Sequence, residues 1–478
     1  MHLVVIGGSD AGVSAALRAR ELDPSARVTV VVADAYPNFS ICGIPYYVSG
    51  EVGHWSNLAH RTRVNLEATG MILRLDTLAT VIDVDGRRLA VRDHNGTESL
   101  IGYDELIVGT GAVPVRPPIG GLAGDDALGA DDGVHVLHSM GDTFALTNSL
   151  DRIKPATALI VGAGYVGLEM AEGLTARGIA VTQVEALPEV LPTVDAELGA
   201  LVHAELTRHG VDVHTSTTVT GIARTPQGNS HLHVDGRSAD GLPLGWDADL
   251  VLVVVGVRPD TGLLVAAGAS TGPRGAVVVD ETMATGLAHV WGAGDCVVTH
   301  HPLLGVTYLP LGTTAHKQER IAGENAVGGR ARFAGSVGTQ VVKVFDLVAA
   351  RTGLREHEAL AAGFGPVSST ATPDDHKAYY PGAQTITIRV TGDAQTGLLL
   401  GAQLIGARGT ETAKRVDTFA GALFHAMTVD AMNDLDLSYT PPLGSPWDAV
   451  QMAAQTWVRD HQLPGQRARL ERTGIGTG

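Results

Sequence analysis

A chain of 478 residues is too long for one hydrophobic core, so about two to four domains are expected, each able to bury its own. The formal net charge of −17 disfavours nucleic acid and anionic membranes as partners, and a polyanionic ligand would need a local arginine cluster. There is no apolar run of about 18 residues to span a membrane, and two cysteines in the chain, Cys42 and Cys296, exclude a disulfide scaffold and fit a reducing cytoplasm.

The chain starts directly on Leu3-Val4-Val5-Ile6, which reads as a buried strand with no basic leader ahead of it, so no secretory signal is expected. Gly7-Gly8-Ser9-Asp10-Ala11-Gly12 follows, then a helix through Ser14 to Arg20 and a strand over Arg27 to Val32. This is βαβ order. Gly7 makes the tight turn, Gly12 permits close helix–strand packing, and a pyrophosphate would lie on the helix N-terminus. Ser9 stands where a full fingerprint has glycine. The acidic ribose partner expected about 20 residues after Gly12 falls on Val32, and Asp34 is the nearest carboxylate.

Cys42 lies in Asn38-Phe39-Ser40-Ile41-Cys42-Gly43-Ile44-Pro45-Tyr46-Tyr47 with no second cysteine nearby. Such a thiol can cycle through a mixed disulfide, a persulfide or a sulfenic acid, but not through an internal disulfide with a neighbour. Tyr103 to Ala112, including Thr110 and Gly111, resembles the crossover strand of two-dinucleotide flavoproteins. The Gly120-to-Gly133 stretch, rich in Gly, Ala and Asp, is expected as a surface loop.

A second βαβ unit begins 155 residues after the first, at Gly162. Ala158 to Val161 is a strand, and Gly162-Ala163-Gly164-Tyr165-Val166-Gly167 matches G-x-G-x-x-G in full. A helix over Leu168 to Arg177 and a strand over Ile179 to Val184 follow. Glu185 stands 18 residues after Gly167. A carboxylate there accepts from a ribose 2′-OH and repels a 2′-phosphate, which favours NADH over NADPH. Gly256 marks the return crossing. Ala288 to Asp295 is a short strand closing on Gly294-Asp295, and Cys296 behind it reads as a small buried hydrophobe.

From about Phe333 the pattern changes. Strands over Val341 to Phe345 and Thr385 to Val390, then a helix over Thr412 to Met427, suggest an α+β module. Neither His300-His301 nor Asp374-Asp375-His376 has metal-ligand spacing, and both are expected in solvated loops. The stretch Gln466 to Gly478 is basic, then glycine-rich, and is expected to fray.

Together these motifs resemble the single-cysteine group of the pyridine nucleotide-disulfide oxidoreductases. The likeness is strongest to coenzyme A-disulfide reductases and their CoA-persulfide-reducing relatives, and it extends over about residues 2 to 455. Ala378-Tyr379-Tyr380-Pro381-Gly382 and Leu437-Ser438-Tyr439-Thr440-Pro441-Pro442 are similar to the family's two tyrosine segments. The resemblance implies two interleaved Rossmann-like domains of α/β class with a C-terminal α+β dimerisation domain. Residues 1–114 and 257–330 would bind FAD, 115–256 would bind NADH, 331–455 would dimerise and 456–478 would be a tail.

It implies further that FAD lies on Gly7, Gly8, Ser9, Ala11, Gly12, Asp34, Thr110, Gly111, Gly294 and Asp295. NADH would lie on Gly162, Gly164, Tyr165, Gly167, Glu185 and Gly256. Cys42 would be the redox nucleophile, and Tyr379, Tyr380 and Tyr439 would reach the partner subunit's cysteine in a homodimer with composite sites. Arg18, Arg20, Arg61 and Arg63 are candidates for the 3′-phospho-ADP part of CoA. The family often has Asn or Ser before the cysteine, where this chain has Ile41.

Two other functions compete. In an NADH oxidase or peroxidase, Cys42 would cycle through sulfenic acid; such relatives usually carry histidine at the position of Asp10. A flavin-bearing electron donor to a protein such as a ferredoxin typically lacks the cysteine altogether.

Overall fold

The computed structural model describes residues 1–225 and 231–461, apart from the side chains of Asp10 and Ala11. The glycine-rich tail from Gln466 to Gly478 therefore lies outside the described residues. Contacts divide the chain into Met1–Ser336 and a second unit from Val337 onward.

Short apolar strands joined by glycine turns build the first sheet. β1 (His2–Ile6) leads into α1 (Asp10–Leu22), and β2 (Arg27–Val31) returns parallel, pairing Val28 with Leu3. With β3 (Ile72–Arg74), β7 (Glu105–Val108) and β18 (Val290–Gly292) the order is β18-β7-β1-β2-β3, all parallel. Leu3 to Ile6 and Leu106 to Val108 are buried throughout, as expected for a parallel sheet covered on both faces. α2 (Ile44–Ser49) and α3 (Arg63–Glu67) lie between β2 and β3. An antiparallel meander, β4 (Thr77–Asp83), β5 (Arg88–Asp93) and β6 (Glu98–Gly102), precedes β7. The return to this domain adds α7 (Gly262–Ala266), the β19 (Thr299–His301) and β20 (Gly305–Thr307) hairpin, and α8 (Gly312–Ala326). α8 packs close on α1, where a Cβ on Gly323 would lie 2.3 Å from the Ala15 carbonyl oxygen.

The second sheet is a separate parallel layer inserted between β7 and β18. It comprises β9 (Val134–His135), α4 (Met140–Ile153), β10 (Thr157–Val161), α5 (Tyr165–Ala176) and β11 (Ala180–Val184). α6 (Ala196–Arg208), β12 (Asp212–His214) and β16 (Leu250–Val253) complete it in the order β12-β11-β10-β16-β9. β13 (Thr217–Arg224), β14 (Leu232–Ser238) and β15 (Pro243–Ala248) form an antiparallel ribbon beside it. The chain enters through β8 (Ala112–Pro114) and leaves through β17 (Val257–Pro259), which pair antiparallel, and Val115 N donates to Gly256 O at 2.9 Å.

The expected surface loop after Gly120 is corrected in part. Ile119, Leu122 and Leu128 are buried in the core of this domain, and Gly120 exchanges backbone hydrogen bonds with Thr220 and Ile222. The longest exposed run in the stretch is residues 123–127. Three apolar side chains anchor a segment whose composition otherwise reads as loop.

The unit from Val337 is an antiparallel sheet with helices. β21 (Gln340–Val344), β22 (Leu347–Gly353), β23 (Pro366–Ala371), β24 (Ile386–Asp393) and β25 (Leu399–Ala407) pair in the order β21-β22-β25-β24-β23. α9 (Glu356–Ala361), α10 (Thr412–Phe424) and α11 (Ala449–His461) complete it. α11 continues to His461, past the boundary expected at 455. Trp457, 1% exposed, packs on Gly392 and donates from Nε1 to Val367 O at 2.9 Å, which holds that last turn in place.

Candidate active site

The first glycine turn is shaped by steric necessity. Gly7 has φ +121°, and a Cβ there would lie 2.2 Å from Gly109 O. A Cβ on Gly12 would lie 2.2 Å from Gly7 O. Ser9 is the N-cap of α1, exposed, and makes no side-chain cap bond, so the helix presents its first amides outward. Val32, at the expected ribose position, is 4% exposed and lies under Gly8, whose added Cβ would come 2.3 Å from it. It cannot meet a ribose. Asp34 is exposed at the strand end and accepts from Tyr36 N at 2.8 Å.

The Gly294-Asp295 turn completes this cradle. Gly294 N donates to Gln318 Oε1 at 3.1 Å, and Gln318 Nε2 donates to Val298 O at 3.1 Å. Gln318, 1% exposed on α8, was missed by motif reading because a lone glutamine carries no signal. The Asp295 carboxylate has no hydrogen-bond partner among the described residues, and burial raises its pKa to about 6. Thr110 Oγ1 donates to Asp260 O at 2.6 Å, while Gly111, at φ +71°, faces open space. A glycine cradle that any Cβ would fill, open helix amides and an unpartnered carboxylate fit a dinucleotide with its polyol chain.

The second loop repeats the geometry. Gly162 has φ +105°, and a Cβ on Gly167 would lie 2.2 Å from Gly162 O. Gly164, the N-cap of α5, has nothing within 4 Å of its Cβ position, which leaves room for a phosphate. Glu185 is 8% exposed; its Oε2 accepts from Ala163 N at 2.7 Å and its Oε1 from Leu187 N at 2.8 Å. Tyr165 Oη accepts from Thr193 Oγ1 at 3.1 Å, and Gly256, at φ +105°, faces open space. These residues fit a second dinucleotide.

Cys42 lies in the one-turn 3-10 segment Ile41–Gly43 directly ahead of α2, and it is exposed. A Cβ on Gly43 would lie 2.6 Å from Leu58 Cδ2, so the turn is packed from beneath. Pro45 in the first turn of α2 suits a helix start. Nearby, Tyr36, Phe39, Trp55 and Phe144 form an aromatic cluster with centroid distances of 5.1 to 6.0 Å. Cys296 is its opposite. It is 0% exposed, its Sγ lies 3.4 Å from Ala293 O, and burial pushes the thiol up to about 11.

The four arginines differ in their engagements. Arg20 donates to the carbonyls of Thr69, Pro24 and Ala26, so a phosphate there would have to displace all of them. Arg18 bridges Glu21 and Glu324. Arg63 pairs with Glu67 at 2.7 Å, and Arg61 is exposed beside it.

In the second unit the tyrosine segments meet. Lys377 N donates to Pro441 O at 3.3 Å, and a hydrogen bond with Tyr439 raises the Tyr379 phenol above its usual value. Tyr379, Tyr380 and Tyr439 are 73%, 43% and 45% exposed, an unusual cluster of surface aromatics. The expectation that Asp374-Asp375-His376 is a solvated loop is overturned, because Asp375 and His376 are buried. Arg415 Nη2 donates to Asp375 O at 2.7 Å, and Asp375 Oδ2 lies 3.0 Å from His376 Nδ1. His300 and His301 are likewise not loop residues; they sit in β19, where His301 Nδ1 accepts from Leu303 N at 3.0 Å.

Comparison with known proteins agrees with this geometry. Residues 1–318 match the model of the pyridine nucleotide-disulphide oxidoreductase family, and residues 339–450 match that family's dimerisation domain. The chain is 32% identical over 457 residues to a Pyrococcus furiosus protein named NAD(P)H sulfur oxidoreductase (CoA-dependent), covering 95% of this chain and 98% of that one. It is 30% identical over 459 residues to a protein of Methanocaldococcus jannaschii named NADH oxidase, with coverage of 95% and 98%. The solved structure of a NAD-dependent persulfide reductase from A. fulgidus superposes with a TM-score of 0.89 at 35% identity, covering 96% of this chain and 83% of that one. By sequence, by fold and by its paired glycine cradles, this chain belongs to the pyridine nucleotide-disulphide oxidoreductase family.

Proposed function

We propose that this chain is an FAD-dependent NAD(P)H oxidoreductase that reduces a low-molecular-weight disulfide or persulfide of the coenzyme A type through Cys42. One observation carries the reading. Of the two cysteines, one is exposed on a turn held against the helix of the second glycine loop, and the other is fully buried. The names of the Pyrococcus and A. fulgidus relatives support the substrate class.

Gly7, Gly8, Ser9, Ala11 and Gly12 would hold the FAD pyrophosphate, Asp34 its ribose, and Thr110, Gly111, Gly294 and Asp295 the rest. Gly162, Gly164, Tyr165, Gly167, Glu185 and Gly256 would hold the nicotinamide nucleotide, with Glu185 favouring NADH. FAD, when bound, supplies the relay of two electrons from nicotinamide to sulfur that side chains cannot provide. The rest is the chain's own chemistry. The Cys42 thiolate attacks one sulfur of the substrate, its new S–S bond forms as the old one breaks, and the departing thiolate takes a proton. Tyr379, Tyr380 and Tyr439 are the proposed proton donors, offered to the partner subunit's cysteine in a homodimer. Two cysteines, one of them exposed, fit a reducing cytoplasm.

The test is anaerobic NADH oxidation with and without CoA disulfide or CoA persulfide. Turnover that requires the sulfur substrate and vanishes in Cys42→Ser supports the reductase. Turnover only on admitting oxygen moves the assignment to an NADH oxidase, the name of the M. jannaschii relative. Sulfur-independent reduction of a ferredoxin that survives Cys42→Ser points to a simple electron donor.

A further inference from the structure

The helix that opens the second glycine loop is fastened along its length to the helix that follows Cys42. Glu169, Gly173 and Arg177 recur every fourth residue, so they share one face of α5 and its C-terminal edge. Each meets α2. Tyr46 Oη donates to Glu169 Oε1 at 3.1 Å. A Cβ on Gly173 would lie 3.3 Å from Pro45 O and 3.4 Å from Ser49 Cβ, so the two backbones approach closely. Arg177 Nη1 donates to Val48 O at 2.9 Å, satisfying a carbonyl at the end of α2. Tyr165, one turn before Glu169, belongs to the glycine motif itself.

These links differ in kind. Gly173 and Arg177 touch α2 backbone, and would hold the helix whatever occupies the loop. The Tyr46–Glu169 bond joins two side chains, one on the helix that would receive the nucleotide and one four residues after Cys42. Burial first, and then Glu169, raises the Tyr46 phenol well above its ordinary value, so it stays a hydrogen-bond donor.

We infer that the Tyr46–Glu169 hydrogen bond couples the two halves of the site, so that nucleotide in the Gly162–Gly167 loop alters the reactivity of Cys42. It makes Tyr46 and Glu169 positioning residues rather than catalytic ones. The inference rests on the proposed assignment of that loop to a pyridine nucleotide. Because such coupling is a free energy between two sites, it must be reciprocal.

The experiment uses the purified flavoprotein, with NAD⁺ as a non-reducing occupant and iodoacetamide as the probe of Cys42. Saturating NAD⁺ is expected to change the alkylation rate at least about 5-fold, and alkylation in turn is expected to change the NAD⁺ dissociation constant, with no requirement that a rate ratio and an equilibrium ratio be equal. In Tyr46→Phe, which keeps the ring, both ratios should fall within about twofold of unity while flavin content and melting temperature hold. Glu169→Gln, which keeps an acceptor oxygen, should retain the coupling. Equal ratios in wild type and Tyr46→Phe overturn the inference, as does loss of coupling in Glu169→Gln alone, which would mean that the carboxylate acts on the nucleotide directly. Failure of the wild type to bind NAD⁺ overturns the nucleotide assignment and the inference together; binding with no effect on alkylation overturns only the inference.

Discussion

The Glu185 carboxylate reaches back beneath the glycine loop of its own domain, where Oε2 accepts from Ala163 N at 2.7 Å. The same side chain also accepts from Leu187 N, so one carboxylate fixes both the loop and the start of the segment after β11. Removing it leaves the buried Ala163 amide without this partner, at a cost of about 1–3 kcal/mol, while the exposed Leu187 amide can turn to water. Glu185→Ala is therefore expected to lower the melting temperature. It should also lower kcat/KM for NADH by at least about tenfold while leaving NADPH nearly unchanged, since the repulsion of a 2′-phosphate goes too. Steady-state kinetics with both nucleotides check this.

Cys42 and Cys296 should separate cleanly in a thiol titration. In the native protein only the exposed Cys42 should react rapidly; Cys296, fully buried and raised to about 11, should react only on unfolding. Cys42→Ser should retain flavin yet lose sulfur-dependent turnover by roughly 10³-fold or more. Cys296→Ala should leave that turnover intact per bound flavin, with a stability loss of about 1–2 kcal/mol from the small cavity.

Asp295 predicts a pH dependence. Its carboxyl is raised from 3.8 to about 6, so the folded chain binds this proton more tightly than the unfolded one. The resulting stability is full below about pH 4 and is lost as pH rises through about 6, a change of at most about 3 kcal/mol. Asp295→Asn should remove this slope in the flavin-stripped protein and raise its melting temperature at pH 8. The same variant should retain flavin less well, if the unpartnered carboxylate is its acceptor. Melting curves from pH 4 to 8 and flavin content read both effects.

The tyrosine pair offers a separate test. Tyr439→Phe removes the hydroxyl that bonds Tyr379. Reduction of the enzyme by NADH should be unchanged, while turnover of the sulfur substrate should fall about 10²-fold, the scale of one lost proton donor. Stopped-flow separation of the two half-reactions distinguishes this from a general loss of folding.

Gly167→Ala tests the cradle sterically. Its Cβ would lie 2.2 Å from a backbone oxygen, which cannot rotate away. A destabilisation of about 1–3 kcal/mol and a large loss of NADH affinity are expected, measurable by melting and by titration.

Much of the fold was legible because local rules coincide there. Leu3 to Ile6 and Ala158 to Val161 are apolar runs ended by glycines at φ +121° and +105°, and such a pattern admits few structures besides a strand feeding a nucleotide loop. Asp375 and His376 misled, since Asp-Asp-His reads as polar surface and nothing nearby in sequence announces Arg415, which pins the segment from 40 residues away. The Ile119, Leu122 and Leu128 anchor was likewise hidden in a loop-like composition.

The sequence by itself determined the two glycine cradles, each set between a strand and a helix. Each of these depends on residues within one βαβ unit, where spacing dictates geometry. Only the tertiary structure decided that Val32 is packed beneath Gly8 and that Arg20 is engaged by carbonyls. It alone brought Gln318 to Gly294 and joined Tyr46 to Glu169. With Thr69 as the partner of Arg20, these pairs lie from 24 to 123 residues apart. Their contacts arise from the packing of α1, α2, α5 and α8 on the sheets, which no local period encodes.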